Sequence, residues 1–177
     1  MPLKHKVNPE TDLTLEFLKS RVEYDPAHGV FLWRNGYGGR ISGGLAGRKT
    51  TPHRDGGYWR VTIDNREYKA HRLAWFYMTG EWPSPEIDHI NGDGLDNRWS
   101  NLRLATKSQN KANNRRYKNN KSGFKGVSWS VEAQKWHATI QVKGKQIYLG
   151  RFTDIREAAE AYRKAAAEHH GAFSRTT

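Results

Sequence analysis

The stretch IDHINGDGLDNRWSNLRLATKSQN, residues 87–110, decides how this chain is read. It places Asp88 directly before His89, passes through a turn-rich Asn91-Gly92-Asp93-Gly94, reaches Asn101 ahead of the apolar Leu102 and Leu104, and closes on Asn110. Thr106 and Gln109 have the spacing of a capping box, which starts a helix with Asn110 in its first turn. The order is therefore strand, loop, strand, helix. Hydrolysis of a phosphodiester needs a base to deprotonate water and a cation to neutralise charge on the phosphate and leaving oxygen. His89 is the residue type of such a base, and Asp88 with Asn110 are the oxygen donors such a cation takes. A lone Asp-His pair in a loop is ordinarily a hydrogen-bonded turn, so the weight falls on Asn101 and Asn110 standing beyond it. Asn97, Asp93 and Asp96 read as turn formers with no chemical role, and His71 as packing where a strand passes into a helix.

The rest of the chain fits a polyanion partner. Thirty Lys and Arg against 18 Asp and Glu give 177 residues a net charge of +12, and the pI is near 10.0. Nucleic acid is the leading partner for that charge. A membrane surface would require a basic amphipathic helix or a long apolar run, and neither is read. A hydrophobic share of 36% argues for small modules over one large core. The sequence has no cysteine, which removes thiolate zinc sites and disulfides and makes an intracellular compartment the default.

Upstream, Asp25 to Gly29 reads as a turn before a Val30–Trp33 strand, and residues 58–63 alternate apolar and polar before Asp64-Asn65 turns the chain into 68–73. Residues 111–123 are rich in Asn and basic groups and poor in apolar ones, so they read as a linker. Downstream, Trp136, Ala138, Ile140 and Val142 alternate with polar residues over 135–143, and Lys143-Gly144 turns into a partner strand over 145–150. Asp154 and Glu157 resemble a second capping box, opening a helix whose stripe is Ile155, Ala158, Ala159, Tyr162, Ala165 and Ala166. With 124–130 as a first strand, this is a three-stranded sheet backed by one helix, its polar face free.

Residues 24–114, most densely HRLAW at 71–75 and DHINGDGLDN at 88–97, resemble the His-Asn-His endonucleases, in the His-Asn-Asn variant of phage and intron homing enzymes. That resemblance implies a ββα-metal hairpin and helix in which Asp88 and Asn110 ligate the metal, His89 activates water, and Asn101 holds the His89 imidazole by a hydrogen bond. Oxygen ligands favour Mg²⁺ or Mn²⁺ over Zn²⁺. Residues 123–173, through KGVSW, KWHATI, IYLGRF and EAAEAY, resemble the plant ethylene-response-factor (Apetala-type) DNA-binding domain. Its alignment implies DNA-facing positions at Lys125, Ser128, Ser130, Thr139, Gln141, Gln146 and Tyr148, with His137 on the same face.

The expected fold is α+β: a β-rich unit over 1–80, the ββα-metal unit over 81–114, a basic linker over 115–122, and the sheet-and-helix domain over 123–177. Phosphate contacts are expected from Arg103, Arg115 and Arg116. The expected protein is a homing-type endonuclease of a phage or mobile element, acting in the bacterial cytoplasm on double-stranded DNA. A monomer that nicks is favoured, and no membrane partner or small-molecule cofactor is expected. The rival reading is a non-catalytic DNA-binding regulator on the same scaffold; an RNA-binding role has charge and aromatics behind it but no motif.

Overall fold

The computed structural model describes residues 12–36, 39–50, 57–114 and 119–175. Arg115 and Arg116 lie outside them. The chain divides into two compact units, residues 1–104 and 105–177.

In the first unit Thr14 caps α1 (Leu15–Arg21) by accepting the Phe17 N–H, a helix that no pattern in the sequence announces. Strands β1 (Val22–Asp25) and β2 (Val30–Trp33) form a hairpin joined by β3 (Leu45–Ala46). A second sheet orders β4 (Arg48–Lys49), β5 (Trp59–Ile63) and β6 (Arg66–Lys69), with Asp64-Asn65 as the tight turn at positive φ. The chain leaves β6 directly into α2 (Ala70–Thr79), sooner than an extended 68–73 would have it. Burial explains this: Ala70, Leu73 and Ala74 are all fully buried, a helical stripe that an extended strand would split between two faces. α2 ends on Gly80 in the left-handed conformation. Leu18, Val22, Phe31, Val61, Ile63, Leu73, Ile87 and Leu102 belong to one core. That core carries a two-stranded sheet of β7 (Glu86–His89) and β8 (Leu102–Ala105).

In the second unit Thr106 caps α3 (Lys107–Asn113), and the reciprocal bonds of the capping box with Gln109 are both formed. α3 packs with the C-terminal elements, and the division between the units falls before this helix; residues 115–118 of the expected linker lie outside the described residues. The physical tie is Lys125, whose Nζ donates to the carbonyls of Ala112 and Asn114 at the helix end. The sheet places β10 (Lys135–Val142) between β9 (Val127–Ser130) and β11 (Lys145–Phe152), all antiparallel. The first strand starts later than an extended 124–130 would have it, since 124–126 form a turn closed by Gly126 at φ 71°. Asp154 caps α4 (Ile155–His170) through the Arg156 N–H, without the reciprocal Glu157 bond. Ala138 and Ile140 are buried from the sheet, with Ala158, Tyr162, Ala165 and Ala166 from α4. Small alanines let the helix lie close to the strands. The architecture is mixed α and β, with several small antiparallel sheets and four α-helices among the described residues.

Candidate functional site

Asp88 and His89 end β7, and both are buried, at 3% and 6% exposure. Their strand alternates, so the two side chains leave on opposite faces. Asp88 Oδ2 receives the Arg103 Nε–H at 2.8 Å from the neighbouring strand. Arg103, expected at phosphate, is thus engaged at the carboxylate beside the candidate base.

The His89 ring is fixed from three sides. Its Nε2 lies 3.2 Å from Asn97 Oδ1. An oxygen acceptor there assigns the ring proton to Nε2 and gives Nδ1 the lone pair of a base. The His71 ring meets it edge to face at 5.0 Å between centroids, and the Tyr58 ring stands 5.3 Å from His71 and 6.2 Å from His89. Burial pushes the His89 pKa below the ordinary 6.5, partly offset by the Asn97 hydrogen bond and by Asp88, Asp93 and Asp96. The imidazole is therefore neutral at neutral pH, the state a general base requires. His71 is depressed further by its own burial and by His89, and its Nδ1 is buried with no hydrogen-bond partner.

Asn101 does something other than hold the imidazole. Its Nδ2 donates to the Asp96 carbonyl at 2.7 Å and to Asn91 Oδ1 at 3.1 Å, while its Oδ1 accepts the Asn91 N–H at 2.9 Å. The carboxamide is spent on closing the 90–101 loop, and the imidazole contact belongs to Asn97, which sequence alone reads as a turn former. Asn97 is 1% exposed. Its Nδ2 donates to the Leu95 carbonyl and its own carbonyl accepts the Tyr24 hydroxyl at 2.6 Å. Asp93 and Asp96 do form turns: Asp93 Oδ1 accepts the Leu95 N–H, and Asp96 takes the Arg98 guanidinium at 2.6 and 2.8 Å. Those Arg98 bonds, chiefly, hold the Asp96 carboxyl down to about 2.

Two glycines let the N-terminal strands reach this loop. Gly29, at φ +72°, closes the β1–β2 turn so near residues 97–98 that a Cβ would come 2.3 Å from Arg98 N and 2.4 Å from Asn97 C. Gly94 likewise abuts Tyr58, whose ring a Cβ would approach to 2.8 Å. The β-rich segment thus positions Asn97 from below and Tyr58 from the side. Neither contact is written in local sequence; HRLAW is the available signal for His71.

Asn110 lies in the first turns of α3, its N–H bonded to the Thr106 carbonyl. Among the described residues no cluster of three or more His, Asp or Glu could enclose a metal.

In the second unit, cross-strand register pairs Ser128 with His137, Ser130 with Lys135, Thr139 with Tyr148 and Gln141 with Gln146. These residues share the face opposite the buried Ala138 and Ile140. Tyr148 is 55% exposed there. His137 is half-buried, its ring edge-on to Tyr148. Lys125 is the exception to the expected set, because its ammonium serves the α3 carbonyls; burial pushes its pKa down to about 8, with Arg175 adding to the effect.

A family model described as HNH endonuclease matches residues 68–112, from β6 through α3. That segment of the chain is similar to an HNH endonuclease domain. Protein 3.8 of Escherichia phage T7 is 38% identical over 112 residues, covering 61% of this chain and 92% of that protein. An uncharacterised HNH endonuclease of Acanthamoeba polyphaga mimivirus is 31% identical over 116 residues, 64% of this chain and 59% of that relative. No solved structure matches. No helix among the described residues is long and apolar enough to cross a membrane.

Proposed function

We propose that the chain is a metal-dependent, homing-type DNA endonuclease of a phage or mobile element that nicks one strand of double-stranded DNA in the cytoplasm of a bacterial host. The observation that carries this reading is the geometry of the buried His89 ring, seated on Asn97 beside Asp88 at the end of one strand. His89 Nδ1 takes the proton of the attacking water; Asn97 fixes the tautomer and the ring plane. Arg103 orients the Asp88 carboxylate.

Asp88 and Asn110 are the metal ligands of this proposal. A carboxylate and a carboxamide are hard oxygen donors, and waters and a phosphate would complete the shell of a cation held there. That donor set suits Mg²⁺ or Mn²⁺, not Zn²⁺. A cation held by Asp88 and Asn110 would neutralise charge at the scissile phosphate and leaving oxygen.

The C-terminal sheet is the DNA reader, by its resemblance to the Apetala-type domain. Ser128, Ser130, His137, Thr139, Gln141, Gln146 and Tyr148 form the reading face, and Arg115 and Arg116 contact phosphate. Serine, threonine and glutamine at these positions give this chain its own target sequence.

A chain with one such centre attacks one phosphodiester at a time, so a monomer makes nicks. The test is a supercoiled plasmid carrying one target, at limiting enzyme with Mg²⁺. Open circles accumulating before any linear DNA support the reading. Direct conversion to linear form would show paired centres, and no cutting at all would favour a DNA-binding regulator on a nuclease scaffold.

A further inference from the structure

Lys125 has the sequence setting of a DNA ligand, but the structure uses it as an internal strut between α3 and the C-terminal sheet. That strut leaves a cleft of about 680 Å³ between α3 and the β10–β11 hairpin. Lys107 and Lys111, four residues apart and so on one face of α3, line one wall. Lys143, at the hairpin turn, lines the other, and Ile140 and Tyr162 make the apolar floor. All three rim lysines are exposed, and among the described residues no Asp or Glu lines the cleft.

We propose that this cleft is a seat for the sugar-phosphate backbone of duplex DNA, held by Lys107, Lys111 and Lys143 without regard to base sequence. The inference rests on the reading of the second unit as a DNA binder and extends its sheet face, since Thr139, Gln141 and Gln146 also line the cleft. Several observations favour an extended polyanion as occupant. The cations stand on two walls of one open cleft with no carboxylate between them to neutralise their field. Long flexible lysines suit backbone phosphates, which they meet as point charges, better than base edges, which suit planar bidentate groups. The floor accepts the apolar flank of a deoxyribose. Lys125, half-buried on the same cleft and depressed to about 8 with no carboxylate in the cleft lining, gains from a phosphate nearby. A backbone seat that borders Thr139, Gln141 and Gln146 would fix register for the face that reads bases.

The test measures binding of the full-length protein to a fluorescent mixed-sequence duplex, with chelator present to prevent cutting, across a salt series. The Lys107→Gln/Lys111→Gln/Lys143→Gln variant is compared with wild type and with a charge-matched control, Lys19→Gln/Arg156→Gln/Lys164→Gln. Removing one lysine–phosphate pairing lowers the slope of log K against log salt by about 0.9, so the cleft variant is expected to give a slope shallower by about 2.7. The control should change the slope little, and a second duplex of unrelated sequence should behave alike. A cleft variant with the wild-type slope, or a control whose slope falls as far, overturns the cleft while leaving the sheet-face reading intact. Wild-type protein that binds neither duplex overturns the DNA-binding reading of the unit itself, and the cleft with it.

Discussion

Asn97→Ala should impair cutting far more than its effect on folding would suggest, and only when His89 is present. The substitution removes two long hydrogen bonds, the one Asn97 Oδ1 accepts from His89 Nε2 and the one its Nδ2 donates to the Leu95 carbonyl, each at 3.2 Å. The Tyr24 bond to the residue 97 carbonyl is main-chain and survives. Leaving two inner polar groups without partners costs on the order of 2 kcal/mol of stability. Removing the group that orients a reactive imidazole typically costs about 10- to 100-fold in activity. Asn101→Ala has the opposite balance: it removes three loop bonds, two of them shorter than 3.0 Å, so about 3 kcal/mol of stability should go with it. Single-turnover nicking and urea unfolding, measured side by side, separate the two. If Asn97 acts through the imidazole, adding Asn97→Ala to a His89→Ala chain should change its residual rate little. An Asn97→Ala enzyme that nicks at the wild-type rate, or an impairment that persists undiminished without His89, would refute the role given to this hydrogen bond.

Gly29→Ala forces a strained positive φ and drives a Cβ into the main chain of residues 97 and 98, so it should destabilise the first unit by about 2 kcal/mol or more. Wild-type unfolding and activity would contradict that. His71→Ala should lower the single-turnover rate by about tenfold and His71→Phe should restore most of it, because a flat ring still meets His89; equal impairment would assign His71 nothing but its volume. Burial holds both His71 and His89 below the ordinary 6.5. As pH falls past that value the unfolded chain takes up protons first, so stability present above pH 6.5 declines with acidification, by up to about 1.4 kcal/mol per pH unit for each histidine. A urea midpoint unchanged between pH 7 and pH 5 would contradict the burial of both rings.

What can be read from sequence is local. The alternation from Trp136 to Val142, the Thr106–Gln109 box and the alanine stripe of α4 each follow from a short-range period, and each stands in the structure with boundaries shifted by a few residues. α1 is invisible to such a period because it is seven residues long with only Leu18 buried among them; packing against the core, not propensity, supports so short a helix. The strand-to-helix passage at Ala70 comes earlier than the pattern predicts, because Tyr68 to Leu73 carries residues whose burial is decided by the core they join.

At the site, the residue types are legible and the wiring is not. Sequence spacing marks Asn97 and Asn101 equally as carboxamides in a loop after His89. Which one reaches the ring depends on the β1–β2 turn pressing on residue 97 through Gly29 and on the Tyr24 hydroxyl beneath it, and both reach it from far upstream in the chain. Lys125 shows the same limit from the other side, since a basic residue in a basic segment reads as a phosphate ligand until its ammonium is found on two main-chain carbonyls.

The central claim, that Asp88 and His89 form a phosphodiester-cutting centre, is tested most directly by comparing wild-type protein with His89→Ala on supercoiled plasmid with Mg²⁺ or Mn²⁺, with and without chelator, alongside DNA binding. Wild type should cut with either cation and stop with chelator, and His89→Ala should be slower by about 10²–10⁴-fold while binding DNA as before. Cutting that survives His89→Ala undiminished, or a wild-type protein that binds DNA but cuts with neither cation, would contradict it.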